Sequence, residues 1–521
     1  MTGGLSATPS IDMRMTRRVR PPNAAGSPFL WLSAILIAIM AIEAAEGGWV
    51  ADFWLHTAVV NELARSPFHP ANPLVVGPYP DFYFSPYLLL LALIVRVTGL
   101  PTVAVLAAAG IANLGILLVA FRLLVGCFTG KSQAAAIGLV VVLLAWGIRT
   151  WEWSGFLNLA GLPLILPYPS TFATALMLLS WVLLIRTIRR PNALGFAGLA
   201  LTGAIIGLTN PYALLNGMLG YAAILIAEYR SWSGRLMGGL ALAALACGAM
   251  ALAWPYFPIL DALKSSPAAA AIHRPLYSGI LEGAGLASVG LPAIWWRWRR
   301  QRTDWLVWLF IFAALLLALG WVLRDYQFGR VWPVVVLPLQ LAAALEVADP
   351  PSGRNRWLTI GFGVLVAIAV IVGLRGGAGG LVRAIPASFM SPALRAQLYI
   401  VPPTSFPVVA RCLRSNDVVA TDNLIAERAL PGYGAKVVAP GYPSPLIPDE
   451  AQRHADENAL FTKSTTREMV ESILARYHVR WVLWDPARPL AAPSVYRVVA
   501  TEARGLKLLA APGNPIPAHG C

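Results

Sequence analysis

The 521 residues are 57% hydrophobic and only 12% charged, with a mean hydropathy of +0.65 and a formal net charge of +15. A water-soluble chain of this length needs far more charge to cover its surface, so the composition excludes a soluble enzyme. The positive charge falls in short clusters between apolar runs (Arg186, Arg189 and Arg190; Arg297, Arg299, Arg300 and Arg302; Arg354 and Arg356). That is the positive-inside pattern, which orients a membrane protein and argues against a nucleic-acid partner.

In chain order, a basic segment, 1–27, precedes an apolar run read as an uncleaved anchor rather than a signal peptide. Spans are expected near 28–45, 102–125, 133–148, 171–187, 194–210, 212–228, 236–254, 279–296, 304–323, 331–347 and 357–374, about eleven in all. The stretch "SPYLLLLALIVRVTGLP" (Ser85–Pro101) is apolar but short, and counting it as a span would put Lys131 and the Arg186–Arg190 cluster outside. It is therefore read as a juxtamembrane helix lying in the interface. Long loops, all six histidines and the C-terminal part then fall on the outer side.

Residues 28–375 read as one transmembrane module with a first outer loop at 46–101, and 376–521 as a small α/β extracytoplasmic domain. In that domain "NDVVAT" and "RWVLWD" read as buried strands. "TTREMVESILARYHV" reads as an amphipathic helix capped by Thr465 or Thr466, with Met469, Ile473 and Leu474 on one face. Gly376–Gly380 and "YIVPPTSFP" read as the hinge into it. Cys412 and Cys521 lie there too, their pairing open; Cys127 and Cys247 belong to apolar runs.

The first loop, "GGWVADFWLHTAVVNELARSPFHPANP", sets Asp52, His56, Glu62, Arg65 and His69 among aromatic and aliphatic residues. On a helix, Asp52 and His56 share a face, as do Glu62 and Arg65. Asp52, just past the first span, reads either as a general base at the outer membrane surface or as a helix-end charge.

The basic N-terminus, single span, loop opening on "VADFWLH", juxtamembrane "FSPYLLLLALIVRVTGL" and following "VLAAAGIANLGILLVAFRLL" resemble the C-type (GT-C) polytopic glycosyltransferases. That group includes protein O-mannosyltransferases, aminoarabinose transferases and bacterial arabinofuranosyltransferases. The paired Asp-Glu of the mannosyltransferases is absent, since Phe53 follows Asp52. The resemblance implies a multi-pass protein of the bacterial cytoplasmic membrane, N-terminus inside and C-terminal domain outside. It further implies transfer of a sugar from a polyprenyl-phosphate carrier to an extracytoplasmic acceptor, inverting, with Asp52 as base and Glu43, Glu46 or Glu62 as fallback bases.

The leaving lipid phosphate calls for cations. Arg330 and Arg324 in "LRDYQFGRVWP", with Tyr326 between them, are the first candidates, and Arg330 sits where the family often has its phosphate-binding basic residue. Lys264, His273 and Arg274 form a second basic group. His56, His69, Asp81, Trp151 and Glu152 are candidates for acceptor or sugar, with an aromatic belt as the other reading of Trp151 and plain loop turns as that of His69 and Asp81. A divalent metal is left open, because no compact ligand spacing names its site. Two other functions compete: a transporter or lipid-linked-sugar flippase, which calls for mid-span charges or repeats, and a non-catalytic envelope assembly protein.

Overall fold

The computed structural model describes residues 27–47, 52–262, 267–382, 384–391, 406–502 and 505–514. Its helices are α1 (Pro28–Glu46), α2 (Asp52–Arg65), α3 (Pro86–Thr98), α4 (Thr102–Val125), α5 (Ala134–Leu144), α6 (Pro169–Arg189), α7 (Ala193–Thr209), α8 (Pro211–Ala227), α9 (Gly234–Leu252), α10 (Leu291–Arg300), α11 (Trp305–Leu323), α12 (Trp332–Ala348) and α13 (Arg356–Val382), with single turns between them. Proline at the first turn starts α1, α3, α6, α8 and α12, where its fixed φ suits a helix and its missing N–H costs nothing.

Among the described residues, α1, α4, α6, α9, α11, α12 and α13 are long and apolar enough to cross a membrane. Three further expected spans, α5, α7 and α8, are helices of 11, 17 and 17 residues. Six helices close a ring: α4 packs on α6, α6 on α8, α8 on α11, α11 on α12, α12 on α5, and α5 on α4. Helix α12 is almost wholly buried in this ring, while α1, α9 and α13 turn most of their apolar surface outward. Exposed Trp31, Leu242, Leu245, Trp357 and Ile371 are what lipid-facing helices carry.

Two expected spans are broken, and the breaks answer one another. Helix α5 ends at Leu144 rather than near 148, and the Gln340 amide takes up the freed carbonyls by donating to Val142 O (3.3 Å) and Ala145 O (2.9 Å). The 279–296 stretch splits into a helical turn (Ile280–Ala284), a 3₁₀ segment (Gly285–Gly290) and α10. The two irregular segments pair their backbones, Arg149 N with Glu282 O (2.9 Å) and Ala287 N with Trp146 O (3.2 Å). Inside a membrane such pairing is what makes non-helical backbone tolerable.

The glycine run expected as a hinge is helix. Helix α13 continues to Val382, and a Cβ on Gly376 would lie 2.7 Å from Ile148 O and one on Gly380 2.3 Å from Leu159 O. Those glycines let α13 press against the irregular 147–160 segment. Most of "YIVPPTSFP" lies outside the described residues.

Helix α3 is 13 residues long, about 20 Å at 1.5 Å per residue and short of a ~30 Å hydrocarbon core. Tyr87, Leu88, Leu91 and Ala92 face inward, α3 packs on α2, and Leu90, Leu93 and Val97 are exposed, as an interfacial helix requires.

The C-terminal part holds β1 (Val418–Thr421), α14 (Leu424–Ala429), β2 (Lys436–Val437), α15 (Glu450–Leu460), α16 (Arg467–Arg476), β3 (Val479–Trp484), β4 (Arg497–Thr501) and β5 (Lys507–Ala510). The sheet order is β2-β1-β3-β5-β4, with β1 parallel to β2 and β3, and β5 antiparallel to β3 and β4. Both expected strands and the amphipathic helix are present. Thr466 caps α16, whose buried face is Val470, Ile473 and Leu474; Met469 is exposed instead of facing inward. Cys412 is disulfide-bonded, and Cys521 lies outside the described residues.

This sheet docks on the first loop. Val437 N donates to Leu74 O (2.8 Å), so Val75 extends the sheet beyond β2. Buried Lys436 donates to Asn72 O (2.5 Å) and lies 3.8 Å from Glu62, which also pairs with Arg65 (2.6 Å) and accepts from Ala71 N (3.1 Å). Lys436→Met leaves the Asn72 carbonyl without its lysine donor and takes one of three partners from buried Glu62, a cost of about 1–3 kcal/mol. The variant is expected to unfold at lower temperature in detergent and to be clipped faster between the first loop and the C-terminal sheet; an unchanged thermal midpoint would refute this account of the docking.

Candidate active site

Asp52 opens α2, where the unpaired amides and helix dipole favour a negative charge. The Tyr168 hydroxyl hydrogen-bonds with the backbone at Asp52 and Phe53, fixing that first turn. From 390 residues away, the Tyr442 hydroxyl donates to Asp52 Oδ1. Burial beside that carboxylate raises the Tyr442 pKa well above its ordinary value, so the phenol stays a donor. Arg428 holds the tyrosine in turn: its guanidinium lies 4.2 Å from the Tyr442 ring centroid and its Nε donates to Gly441 O (3.0 Å).

Arg330 comes from the 3₁₀ turn before α12 and is only 7% exposed. Its guanidinium lies over Tyr212 (5.1 Å), Trp153 (5.4 Å) and Phe156 (5.9 Å), and it feels the charge of Asp52. Tyr83 stands within electrostatic reach of Asp52, Asp81, Tyr212 and Arg428. Asp52, buried Arg330 and several phenols are therefore within electrostatic reach of one another, on elements drawn from the first loop, the ring helices and the C-terminal part.

His56, one turn after Asp52, is buried against Tyr168 (5.0 Å) and Tyr83 (5.8 Å), and its Nδ1 has no hydrogen-bond partner. Burial lowers its pKa to about 4 despite the nearby Asp52, so it is neutral at pH 7. Asp81 is also buried; it accepts from Tyr83 N (2.7 Å), and desolvation raises its carboxyl to about 6. Its hydrogen bond makes it the residue that shapes the Tyr83 turn.

The remaining candidates separate from this cluster. Glu62, expected as a fallback base, lies ten residues along α2 from Asp52, about 15 Å by helical rise, and is engaged in the docking contacts. Glu46 is exposed at the end of α1, while Glu43 is buried. Arg324 is exposed as the left-handed C-cap of α11 (φ 58°), and Tyr326 joins an aromatic group with Tyr277 (5.4 Å) and Trp321 (6.2 Å), so neither accompanies Arg330 inward. Trp151 packs on Trp332 (5.3 Å), a bundle contact, and Glu152 and His69 are exposed. Arg274 is exposed too, but its neighbour His273 reaches Trp153 (5.2 Å) and Tyr212 (5.7 Å). Lys264 lies outside the described residues. No group of three potential metal ligands surrounds Asp52 among the described residues.

The sequence reading missed Tyr442, Arg428, Tyr83, Tyr168 and Tyr212. One local signal existed. The Pro-Gly-Tyr tripeptide occurs at Pro431–Tyr433 and again at Pro440–Tyr442, either side of β2. Tyr433 stacks on Trp54 (4.8 Å) while Tyr442 binds Asp52, so both turns grip the start of α2.

No family model and no curated protein matches the chain. Solved structures do. ArnT from Cupriavidus metallidurans in the apo state aligns with a TM-score of 0.52 at 12% identity, over 92% of this chain and 97% of its own. The same protein bound to undecaprenyl phosphate aligns at 0.50 and 13%, over 93% and 98%. The arabinofuranosyltransferase AftD from Mycobacteria aligns at 0.52 and 16%, over 93% of this chain and 40% of its own. The shared fold is the GT-C fold: a polytopic helical membrane module with a small C-terminal sheet.

His56 gives the site an acid-sensitive stability. Its folded pKa, about 4, lies below its ordinary 6.5, so acid protonates the unfolded chain first and stability is lost as pH falls through that window. Between pH 7 and pH 5 the loss is ~2 kcal/mol. Asp81, raised to about 6, has the opposite sign and recovers part of it, so the difference between wild type and His56→Gln is the quantity to measure. Thermal melts across this range should show a shallower acid loss in His56→Gln; parallel curves would contradict the buried neutral imidazole.

Proposed function

We propose that this GT-C chain is an integral-membrane glycosyltransferase that moves a monosaccharide from a polyprenyl-phosphate carrier to a hydroxyl of an extracytoplasmic glycan, lipid or protein. The observation that carries the reading is that buried Arg330, held over aromatic rings, feels the charge of Asp52 although the two lie far apart in the sequence. The ArnT structure with undecaprenyl phosphate supports a polyprenyl phosphate as the lipid half of the donor.

In the proposed reaction the acceptor oxygen attacks the anomeric carbon while the bond from that carbon to the carrier phosphate breaks, inverting the centre. Asp52 accepts the acceptor proton. Because Tyr442 occupies Oδ1, Oδ2 is the oxygen left for it. The leaving phosphate keeps the bonding pair, and Arg330, permanently charged and able to make a two-point contact, binds it. Tyr83 feels the charge of Asp52 and Tyr212 carries the Arg330 guanidinium over its ring, so both phenols border the two charged groups and are candidates to hold the sugar. Neutral His56 adds a hydrogen-bonding ring without competing for the phosphate.

The proposed orientation follows the arginine clusters. Arg297, Arg300 and Arg354 meet on buried Glu346 at the far end of α12 from Arg330, and the positive-inside rule supports a cytoplasmic side there with Asp52 on the other. The C-terminal sheet then caps the site from the outer side.

The test supplies membranes with radiolabelled polyprenyl-phosphate sugars at matched protein levels. Asp52→Asn is expected to lose about 10²–10⁴-fold in transfer. Arg330→Gln is expected to lose about 10²–10³-fold. Tyr442→Phe, which removes one hydrogen bond to the base, is expected to lose about tenfold. Full transfer by Asp52→Asn would sink the base assignment, and full transfer by both Asp52→Asn and Arg330→Gln would sink the site.

A further inference from the structure

Behind the C-terminal cap, outside the site just described, acidic side chains crowd a histidine. Glu450, His454 and Glu457 are spaced four and three along α15 and share one face. Glu427 faces them from α14. One ligand atom each from Glu427, His454 and Glu457 lies within 4.8 Å of the others.

The hydrogen bonding around them is incomplete. Glu457 accepts from the backbone of Thr421 (2.9 Å) and Ala439. Glu427 is only 8% exposed; among the described residues no side chain or amide donates to its carboxylate, which feels the charge of its neighbour Arg428. Asp422 stands beside Glu457; one of its oxygens accepts from Arg488 (3.1 Å), and the other is buried and unpartnered. A buried carboxylate without a donor is costly, and a second one alongside adds repulsion. Donors would serve a structural acid. A cation serves a group of acids with an imidazole.

We propose that Glu427, His454 and Glu457 hold a divalent transition-metal ion of the zinc class that ties α14 to α15. One imidazole nitrogen and two carboxylates suit zinc and leave a fourth position for water or for Glu450, 3.9 Å from His454. The half-exposed His454 side chain provides the way in. The ion locks the elements that carry Arg428, which holds Tyr442, and Arg453, which donates to Val76 O of the first loop (2.9 Å). This site is independent of the transfer chemistry and can be tested without it.

The full chain, carrying no polyhistidine tag, is purified in detergent, equilibrated with Zn²⁺ or with EDTA, desalted and analysed for metal by mass spectrometry and for thermal midpoint. About one zinc per chain and a zinc-dependent rise in midpoint are expected of wild type. Glu427→Gln and His454→Ala should each lose the ion and the zinc response; His454 is half exposed, so its removal leaves the fold in place. A pair that simply shares a proton behaves otherwise: zinc and EDTA leave the midpoint unmoved, and Glu427→Gln raises it by removing repulsion. That result overturns the proposal, as does zinc retained equally by both variants.

Discussion

A buried carboxylate, Glu62, underlies the arrangement of the molecule. Sitting in the last turn of α2, it needs partners in a place where water is excluded, and it finds them in Arg65, in the Ala71 amide and in Lys436 from the C-terminal sheet. Those contacts fix the turn after α2, present Leu74 to Val437 for backbone pairing, and so set the sheet over the start of the same helix. With the sheet in register, the two Pro-Gly-Tyr turns fall on Trp54 and Asp52. The distance of one acid from another along a single helix thus separates docking from the candidate site, with Glu62 anchoring near one end and Asp52 bonded to Tyr442 at the other.

The membrane ring follows a different logic, in which backbone rather than side chain is the scarce partner. Where α5 and the 280–290 stretch leave helical geometry, each supplies the other's amides and carbonyls, and Gln340 closes the remainder. Glycines on α13 permit the close approach. This irregular layer leads into Trp153 and Phe156, which carry the Arg330 guanidinium. The breaks in the spans are therefore tied to the placement of the cation.

Much of the helical plan was legible because hydropathy reports a property each segment has alone. Helix α4 runs over the expected residues 102–125, and α3 is the short separate helix expected after the first loop. The early end of α5 was not legible, because its cause is Gln340, some two hundred residues on. The Gly376–Gly380 run was misread because glycine signals both flexibility and close packing, and only the neighbouring backbone distinguishes them. Asp52 and Arg330 stood out as charges at the ends of apolar runs. Tyr442, Tyr83, Tyr168 and Tyr212 did not, since a tyrosine beside a membrane already has a sufficient reason to be there. Met469 misled at a finer scale: one residue's rotation on α16 exchanges it with Val470.

The long sequence separation of the Tyr442–Asp52 hydrogen bond also sets an order of events during synthesis. Asp52 leaves the ribosome 390 residues before its partner. At roughly 5–20 residues per second, that is an interval of roughly 20–80 s. Throughout it the membrane helices can be inserted and the carboxylate can already stand at the water–lipid boundary, yet without Tyr442, Arg428 and the sheet that seats them. The candidate site is finished last. A chain stalled or truncated before its final strands leaves a membrane-embedded body whose acid is in place and whose lid never arrives.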